Sequence, residues 1–227
     1  MYSMYSSCLI AIEIVSATLA FILAKFMIKP YQCTGESRYI GLPLGFVFLG
    51  VSYVFMGAAL SSDSFPFVQK MRWLQLLTQA YAFAFLAVTY YFSKQTPKRS
   101  THLWGQILFS ILILGVIVSC LIVFVPPTFT LPSYKTTDKY FRGFNIIFAL
   151  YLSISTLRTH ASKPCPRTIL APIGYILLAF SQYSFLIWSL DLSESAFVGA
   201  YILRLTSLLV FLFISYKAFS AHKAKRK

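Results

Sequence analysis

The chain has 227 residues, of which 58% are hydrophobic and 11% are charged, and its formal net charge is +14. Ordinary soluble domains carry roughly 25% charged residues, so this composition excludes a soluble globular fold. The basic residues are divided among short connections and a C-terminal tail, which argues against nucleic acid as a partner. We expect them to attract the anionic head groups of lipids at the cytoplasmic face.

Seven apolar stretches divide the chain, over residues 8–28, 39–60, 73–93, 104–125, 141–157, 168–190 and 196–216. All but the short fifth approach the roughly 20 residues that a helix needs to cross the hydrocarbon core. The connections 25–38, 94–99, 158–167 and 217–227 hold 3, 3, 3 and 5 Lys and Arg residues, and the opposite connections, which include Arg142, hold five in all. Basic residues favour the cytoplasmic side, so we expect the N-terminus outside and the C-terminus inside. The sequence predicts one all-α domain of seven transmembrane helices over residues 1–227, in the plasma or cytoplasmic membrane.

The first and last parts of the chain resemble each other. Residues 38–52 read RYIGLPLGFVFLGVS and residues 167–181 read RTILAPIGYILLAFS, and six of these fifteen positions are identical. The identities include Pro43 with Pro172, and further along Thr78 in the third helix aligns with Thr206 in the seventh. These matches predict a parallel repeat of about 8–93 and about 141–216, joined by the connector helix 104–125. The alternative is chance similarity between apolar segments.

This 3+1+3 architecture with an outside N-terminus resembles that of the SWEET and PQ-loop sugar transporters. The resemblance covers the architecture only, because the chain has no Pro-Gln pair and no proline in its first or fifth predicted helix. The helix number is also similar to that of microbial rhodopsins, whose retinal is carried by a lysine midway along the last helix. Residues 196–216 contain no lysine and Lys217 follows them, so we expect no retinal. A looser similarity is to the seven-helix input modules of prokaryotic sensor proteins.

Away from the ends of the predicted helices, only two charged side chains occur, Glu13 in the first and Arg204 in the seventh. Each would cost about 2.5–3.5 kcal/mol near the bilayer centre, so neither is expected to face lipid alone. At 1.5 Å per residue they lie about 8 and 12 Å below the outer boundary, within reach of a long arginine side chain. We predict an ion pair between the first and last helices. The alternative is an arginine that extends to the interface and a protonated glutamate.

Further polar residues are expected at a similar depth, namely Tyr53, Gln75, Gln79, Asn145 and Gln182. Gln182 takes the repeat position of Tyr53, and Asn145 takes that of Glu13. Buried amides need partners because each carries donors and acceptors. Together with Glu13 and Arg204 these residues predict a polar ligand pocket in the outer half. The alternative is polar contacts that hold packed helices together, each worth about 0.6 kcal/mol.

Pro43 and Pro172 are expected about one turn inside the cytoplasmic ends of helices 2 and 6. If those helices begin at Arg38 and Arg167, each proline removes one backbone hydrogen bond and allows a matched bend. Such bends suit a rocking transporter and a receptor equally.

Sequence motifs of catalysis and metal binding are absent. His102, His160 and His222 lie far apart, and the sequence has no nucleophile motif or phosphate loop. We therefore expect no enzymatic activity, no metal and no cofactor. The leading hypothesis is a stand-alone seven-transmembrane sensor or receptor-like protein that binds a small ligand and signals to a cytoplasmic protein partner. The alternatives are a small SWEET-like facilitator and a non-catalytic accessory subunit of a membrane complex.

Overall fold

The structure, a computed structural model, describes residues 2–29, 32, 40–93, 97–124, 133–162 and 169–224. These residues form helices and no strands. The helices are α1 (Tyr2–Met27), α2 (Gly41–Leu60), α3 (Phe65–Ser93), α4 (Pro97–Phe124), α5 (Tyr134–Ser162), α6 (Leu170–Asp191) and α7 (Glu194–Ala224). The predicted all-helical class is confirmed.

Six of the helices are long and apolar enough to cross a membrane, and α3 is not among them. Lys70, Arg72, Gln75 and Gln79 lower the apolarity of α3. The helix can carry these residues because it packs against α2, α4 and α5, so that less of its surface is left to meet lipid. The six apolar helices identify a multi-pass membrane protein.

Helix α5 corrects the sequence-based boundaries. It begins at Tyr134, well before the predicted start at residue 141, so Asp138 and Arg142 lie within the helix and are buried. Glu13 and Arg204 are therefore not the only ionisable residues inside the bundle. The segment is amphipathic, because Asp138, Arg142 and Asn145 recur at the spacing of one helix face while Tyr140 and Phe144 are exposed. When hydropathy is averaged over neighbouring residues, the charged residues of such an amphipathic helical turn lower the average, and the turn is predicted to be a loop.

Six of the helices form a closed ring, in which α1, α3, α5 and α7 run in one direction and α2 and α6 in the other. In the described residues the packed pairs are α1 with α2, α2 with α3, α3 with α5, α5 with α6, α6 with α7, and α7 with α1. Helix α4 packs outside the ring against α3. We call the end at which α1, α3, α5 and α7 begin the N-terminal end, and the opposite end the C-terminal end.

The C-terminal half of the ring is filled by apolar side chains. Phe211 packs edge-on against Phe46 at 5.7 Å and against Tyr175 at 4.7 Å between ring centroids. Close helix approach depends on glycine here: a Cβ at Gly174 would lie 2.7 Å from the Phe211 ring, and one at Gly45 would lie 2.6 Å from Leu86. Small residues of this kind allow membrane helices to approach closely. This half of the ring is therefore closed by packed side chains.

The two prolines lie near the starts of their helices, and the bends predicted for them stay a prediction. In the described residues α2 and α6 begin at Gly41 and Leu170, so Pro43 and Pro172 each stand in the first turn. A backbone N–H there has no intrahelical partner in any case. Both prolines therefore start a helix, although both are buried in the bundle.

Candidate functional site

The ion pair predicted between the first and last helices is present. Arg204 Nη1 donates a hydrogen bond to Glu13 Oε1 at 3.2 Å, and Nη2 lies 3.0 Å from Oε2. Glu13 is 1% exposed and Arg204 is 4% exposed, so lipid does not reach either charge. Removing two charges from water is costly, and the opposite charge at close range offsets that cost. The pair joins α1 to α7 where the ring closes.

Two tyrosine rings flank the guanidinium of Arg204. Its Cζ lies 4.4 Å from the ring centroid of Tyr53 on α2 and 4.6 Å from that of Tyr201 on α7. A cation within about 6 Å of an aromatic face is attracted by the ring quadrupole, most strongly where water is excluded. We call Glu13, Tyr53, Tyr201 and Arg204 the arginine cluster. It brings together three predicted site residues and adds Tyr201, which its place one turn from Arg204 could have indicated.

A second buried ion pair lies within α5. Arg142 Nε donates to Asp138 Oδ2 at 2.8 Å, and the guanidinium carbon lies 4.6 Å from the ring centroid of Phe185 on α6. Phe185 in turn packs edge-on against Tyr201 at 5.2 Å. Rings thus connect the second pair to the arginine cluster. Neither Asp138 nor Arg142 was predicted as a site residue, although their i,i+4 spacing is typical of helical ion pairs.

The predicted glutamines and asparagine form two separate contacts. Gln75 Nε2 donates to Gln79 Oε1 at 3.1 Å within α3, and Asn145 Nδ2 approaches Gln182 Oε1 at 3.5 Å between α5 and α6. All four are buried, and we call them the amide residues. Among the described residues, Gln75 Oε1 and Asn145 Oδ1 accept no hydrogen bond. In the described part of the chain, no hydrogen bond joins the amide residues to the arginine cluster.

Two crevices of about 430 Å³ each open on the sides of the bundle. The α1–α2 crevice reaches the arginine cluster, because Glu13 and Tyr53 line it together with Ile14, Val54 and Ala58. The α3–α5 crevice, under α4, is lined by Leu77, Tyr81, Ala84, Leu114, Phe144 and other apolar or aromatic side chains. The two crevices are alike in size and differ in that an acidic residue, Glu13, is among the lining residues of only one of them.

The comparisons with known proteins give no relative. No protein-family model, no curated protein and no solved structure matches this chain. Within the described residues, no group of three or more His, Cys, Asp or Glu residues could hold a metal ion. The functional argument therefore rests on the arginine cluster and the crevice beside it.

Proposed function

We propose that the protein is a membrane sensor, in which a small ligand bound beside the arginine cluster changes how α1 and α7 are held together. One observation carries this proposal: the buried Glu13–Arg204 pair joins the first and last helices, and Glu13 lines an open crevice. A ligand that contacts Glu13 would compete with or strengthen its contact to Arg204. Such a ligand shifts the packing only as far as it binds one arrangement better than the other.

Helix α7 supplies a route from the cluster to the cytoplasm. Its 31 residues extend about 46 Å, beyond a hydrocarbon core of about 30 Å. Arg204 and Lys217 lie on this one helix, about 20 Å apart along its axis. A change at Arg204 would therefore move a rigid element whose far end carries the basic tail. That tail is the proposed contact for a cytoplasmic protein and for anionic lipid.

The proposal includes seven spans with the N-terminus outside, in the plasma or cytoplasmic membrane. The distribution of Lys and Arg supports this orientation. In a background without native cysteines, a cysteine at Pro97 and a reporter after Lys227 should be reached from the cytoplasm. A cysteine at Ser193 should be labelled from outside. Labelling of positions 97 and 193 from the same side would contradict the seven-span topology.

A second candidate, a SWEET-like facilitator, is favoured by the pairing of the helices. The packed pairs α1–α2, α2–α3 and α7–α1 have counterparts in α5–α6, α6–α7 and α3–α5, as a parallel repeat requires. Burial supports the same pairing, since Glu13 and Asn145 are both buried, as are Tyr53 and Gln182. Thr78 is buried but Thr206 is exposed, so burial does not support the predicted alignment of these two residues. The closed C-terminal half weighs against transport.

One experiment separates the two candidates. Purified full-length protein is tested against a panel of sugars, amino acids and membrane lipids for stabilisation against thermal unfolding, and for solute flux in proteoliposomes. If the protein is a sensor, its ligand should stabilise it against unfolding by about 2.7 kcal/mol at a concentration one hundred times the Kd. The same ligand should show no flux into proteoliposomes. Tyr53→Leu should abolish the stabilisation, while Tyr81→Leu in the α3–α5 crevice should keep it. Saturable flux of any solute would favour the facilitator instead.

A further inference from the structure

The α3–α5 crevice opens toward lipid between α4 and α5. Helix α4 packs outside the ring against α3, with Gly115 close to the ring of Tyr81, so a gap remains between α4 and α5. Leu114 of α4 and Phe144 of α5 line this gap and are 57% and 59% exposed. Both helices are apolar enough to span a membrane, so these side chains meet the hydrocarbon chains of lipids. A lipid chain is therefore the molecule that the membrane presents to this crevice.

Lys70 stands between this crevice and the N-terminal end of the bundle. It precedes the lining residue Leu77 by about two helical turns, and so lies on the same face of α3 about 10 Å nearer that end. Its ammonium donates one hydrogen bond to the backbone oxygen of Val123, near the end of α4, at 2.9 Å. A lysine ammonium has three N–H donors, so two remain for a ligand at this point.

Arg72 stands on the other side of the same end of the crevice. Its guanidinium carbon lies 5.5 Å from the ring centroid of Tyr134, at the start of α5. Tyr134 precedes the lining residue Tyr140 along α5, which places it about 9 Å nearer the N-terminal end. Lys70 thus reaches α4 and Arg72 reaches α5, at a similar distance from the crevice. Lysine and arginine are the side chains that bind phosphate groups.

The charge around the N-terminal end of the bundle is uneven. The first two turns of α3 and α5 carry the basic residues Lys70, Arg72, Lys135 and Lys139. The acidic residues near them are Asp63, in the turn before α3, and Asp138, which is paired with Arg142. Residues 125–132, which connect α4 to α5, read VPPTFTLP and add no charge, whereas the α6–α7 connection carries Asp191 and Glu194. An anionic head group is therefore favoured beside α3 and α5.

We propose that the α3–α5 crevice binds one chain of an anionic phospholipid whose phosphate is held by Lys70 and Arg72. The volume of about 430 Å³ falls within the range of about 300–1,000 Å³ in which protein pockets hold small molecules. A lipid held in this way fills the gap between α4 and α5 and joins α4 to the ring. The α1–α2 crevice provides an internal comparison, because it has the same volume and no Lys or Arg among its lining residues. The site lies apart from the arginine cluster, so this inference does not depend on the sensor proposal.

The test uses two photoreactive phospholipids with the same chains and the same mid-chain diazirine, a phosphatidylglycerol and a phosphatidylcholine. Full-length protein in liposomes of uncharged lipid is labelled with each probe at low ionic strength, and labelling at the two crevices is quantified by mass spectrometry. Each Lys or Arg near a membrane surface favours anionic lipid about fivefold. The α3–α5 to α1–α2 labelling ratio should therefore be about twentyfold higher for phosphatidylglycerol than for phosphatidylcholine. Equal ratios for the two probes would overturn the proposal.

Charge variants separate the two named residues from general attraction to a basic protein. Lys70→Gln/Arg72→Gln should lower the ratio for phosphatidylglycerol to that for phosphatidylcholine, whereas Lys70→Arg keeps the charge and should keep the preference. The matched control Lys25→Gln/Arg158→Gln removes two basic residues at the C-terminal end of the bundle and should leave the ratio unchanged. A fall in the control as large as in the first variant would show that only net charge matters and would overturn the site.

Crevice variants test the place of the chain. Ala84→Phe and, independently, Leu114→Trp narrow the α3–α5 crevice and leave Lys70 and Arg72 unchanged, so each should abolish the preference for phosphatidylglycerol there. Thermal unfolding of each variant shows whether it is folded. Phosphatidylglycerol labelling that persists in the folded variants would overturn the assignment of the chain to this crevice. That failure would leave the sensor proposal unchanged, because the sensor is tested by Tyr53→Leu at the other crevice.

Discussion

The two buried ion pairs of the bundle differ in what they join. Glu13 and Arg204 lie on the first and last helices and hold the ring together where it closes. Asp138 and Arg142 lie one turn apart on α5; Arg142 contacts the ring of Phe185 on α6, and Asp138 accepts a hydrogen bond from Tyr134, whose ring lies against Arg72 of α3. Both pairs place charge inside an apolar bundle. Only the first pair has its two charges on different helices, and this is why we place the sensing function there.

The first pair should therefore be the more sensitive to mutation. Arg204→Leu or Glu13→Leu alone leaves the other charge without its partner, in a side chain that is only 1% exposed for Glu13 or 4% exposed for Arg204. We therefore expect a loss of about 3–5 kcal/mol in the free energy of unfolding. The measurement is unfolding of the purified protein in mixed micelles. Thr206→Leu is the matched control, because Thr206 is an exposed residue of the same helix, and it should change stability by less than about 0.5 kcal/mol.

The double variant Glu13→Leu/Arg204→Leu should recover most of that loss. No lone charge remains in it, and apolar replacements of buried ion pairs are often neutral or stabilising. A double-mutant cycle measures the coupling, which should exceed the loss of either single variant, about 3–5 kcal/mol, because the double variant recovers most of that loss. Strictly additive losses would show that the two residues do not stabilise each other, and the sensor proposal would lose its basis.

The sequence predicted the first pair and missed the second for a physical reason. Glu13 and Arg204 stand in uninterrupted apolar stretches, where a charge needs a partner, and each was the only candidate for the other. Asp138 and Arg142 stand among Lys135, Lys139 and Tyr140, where averaged hydropathy indicates a loop. Their burial depends on the packing of α5 against α3 and α6, and one helix considered alone does not reveal its neighbours.

The second pair should tolerate mutation better. Asp138→Leu leaves Arg142 without its carboxylate, but Arg142 keeps its stacking on Phe185 and stands near the start of α5, where a long side chain can extend toward water. We expect a loss of about 1–2 kcal/mol, measured in the same unfolding assay. Ligand-induced stabilisation should remain in this variant. A loss as large as that of Arg204→Leu would show that both pairs hold the bundle together, which would remove the contrast between them.

The amide residues should show the smallest effect, and Gln79→Leu tests this. Gln79 accepts one hydrogen bond from Gln75 within α3, and polar contacts in membrane proteins contribute on average about 0.6 kcal/mol. The variant leaves the Gln75 amide group without its acceptor, so a loss of up to about 1 kcal/mol is expected, and Gln75→Leu/Gln79→Leu should restore part of it because no amide is then left unpaired. If Gln79→Leu instead abolishes ligand-induced stabilisation while leaving the unfolding free energy unchanged, the amide residues contact the ligand. The pocket would then extend across the ring from α1 to α3, and the two halves of the bundle would act as one site.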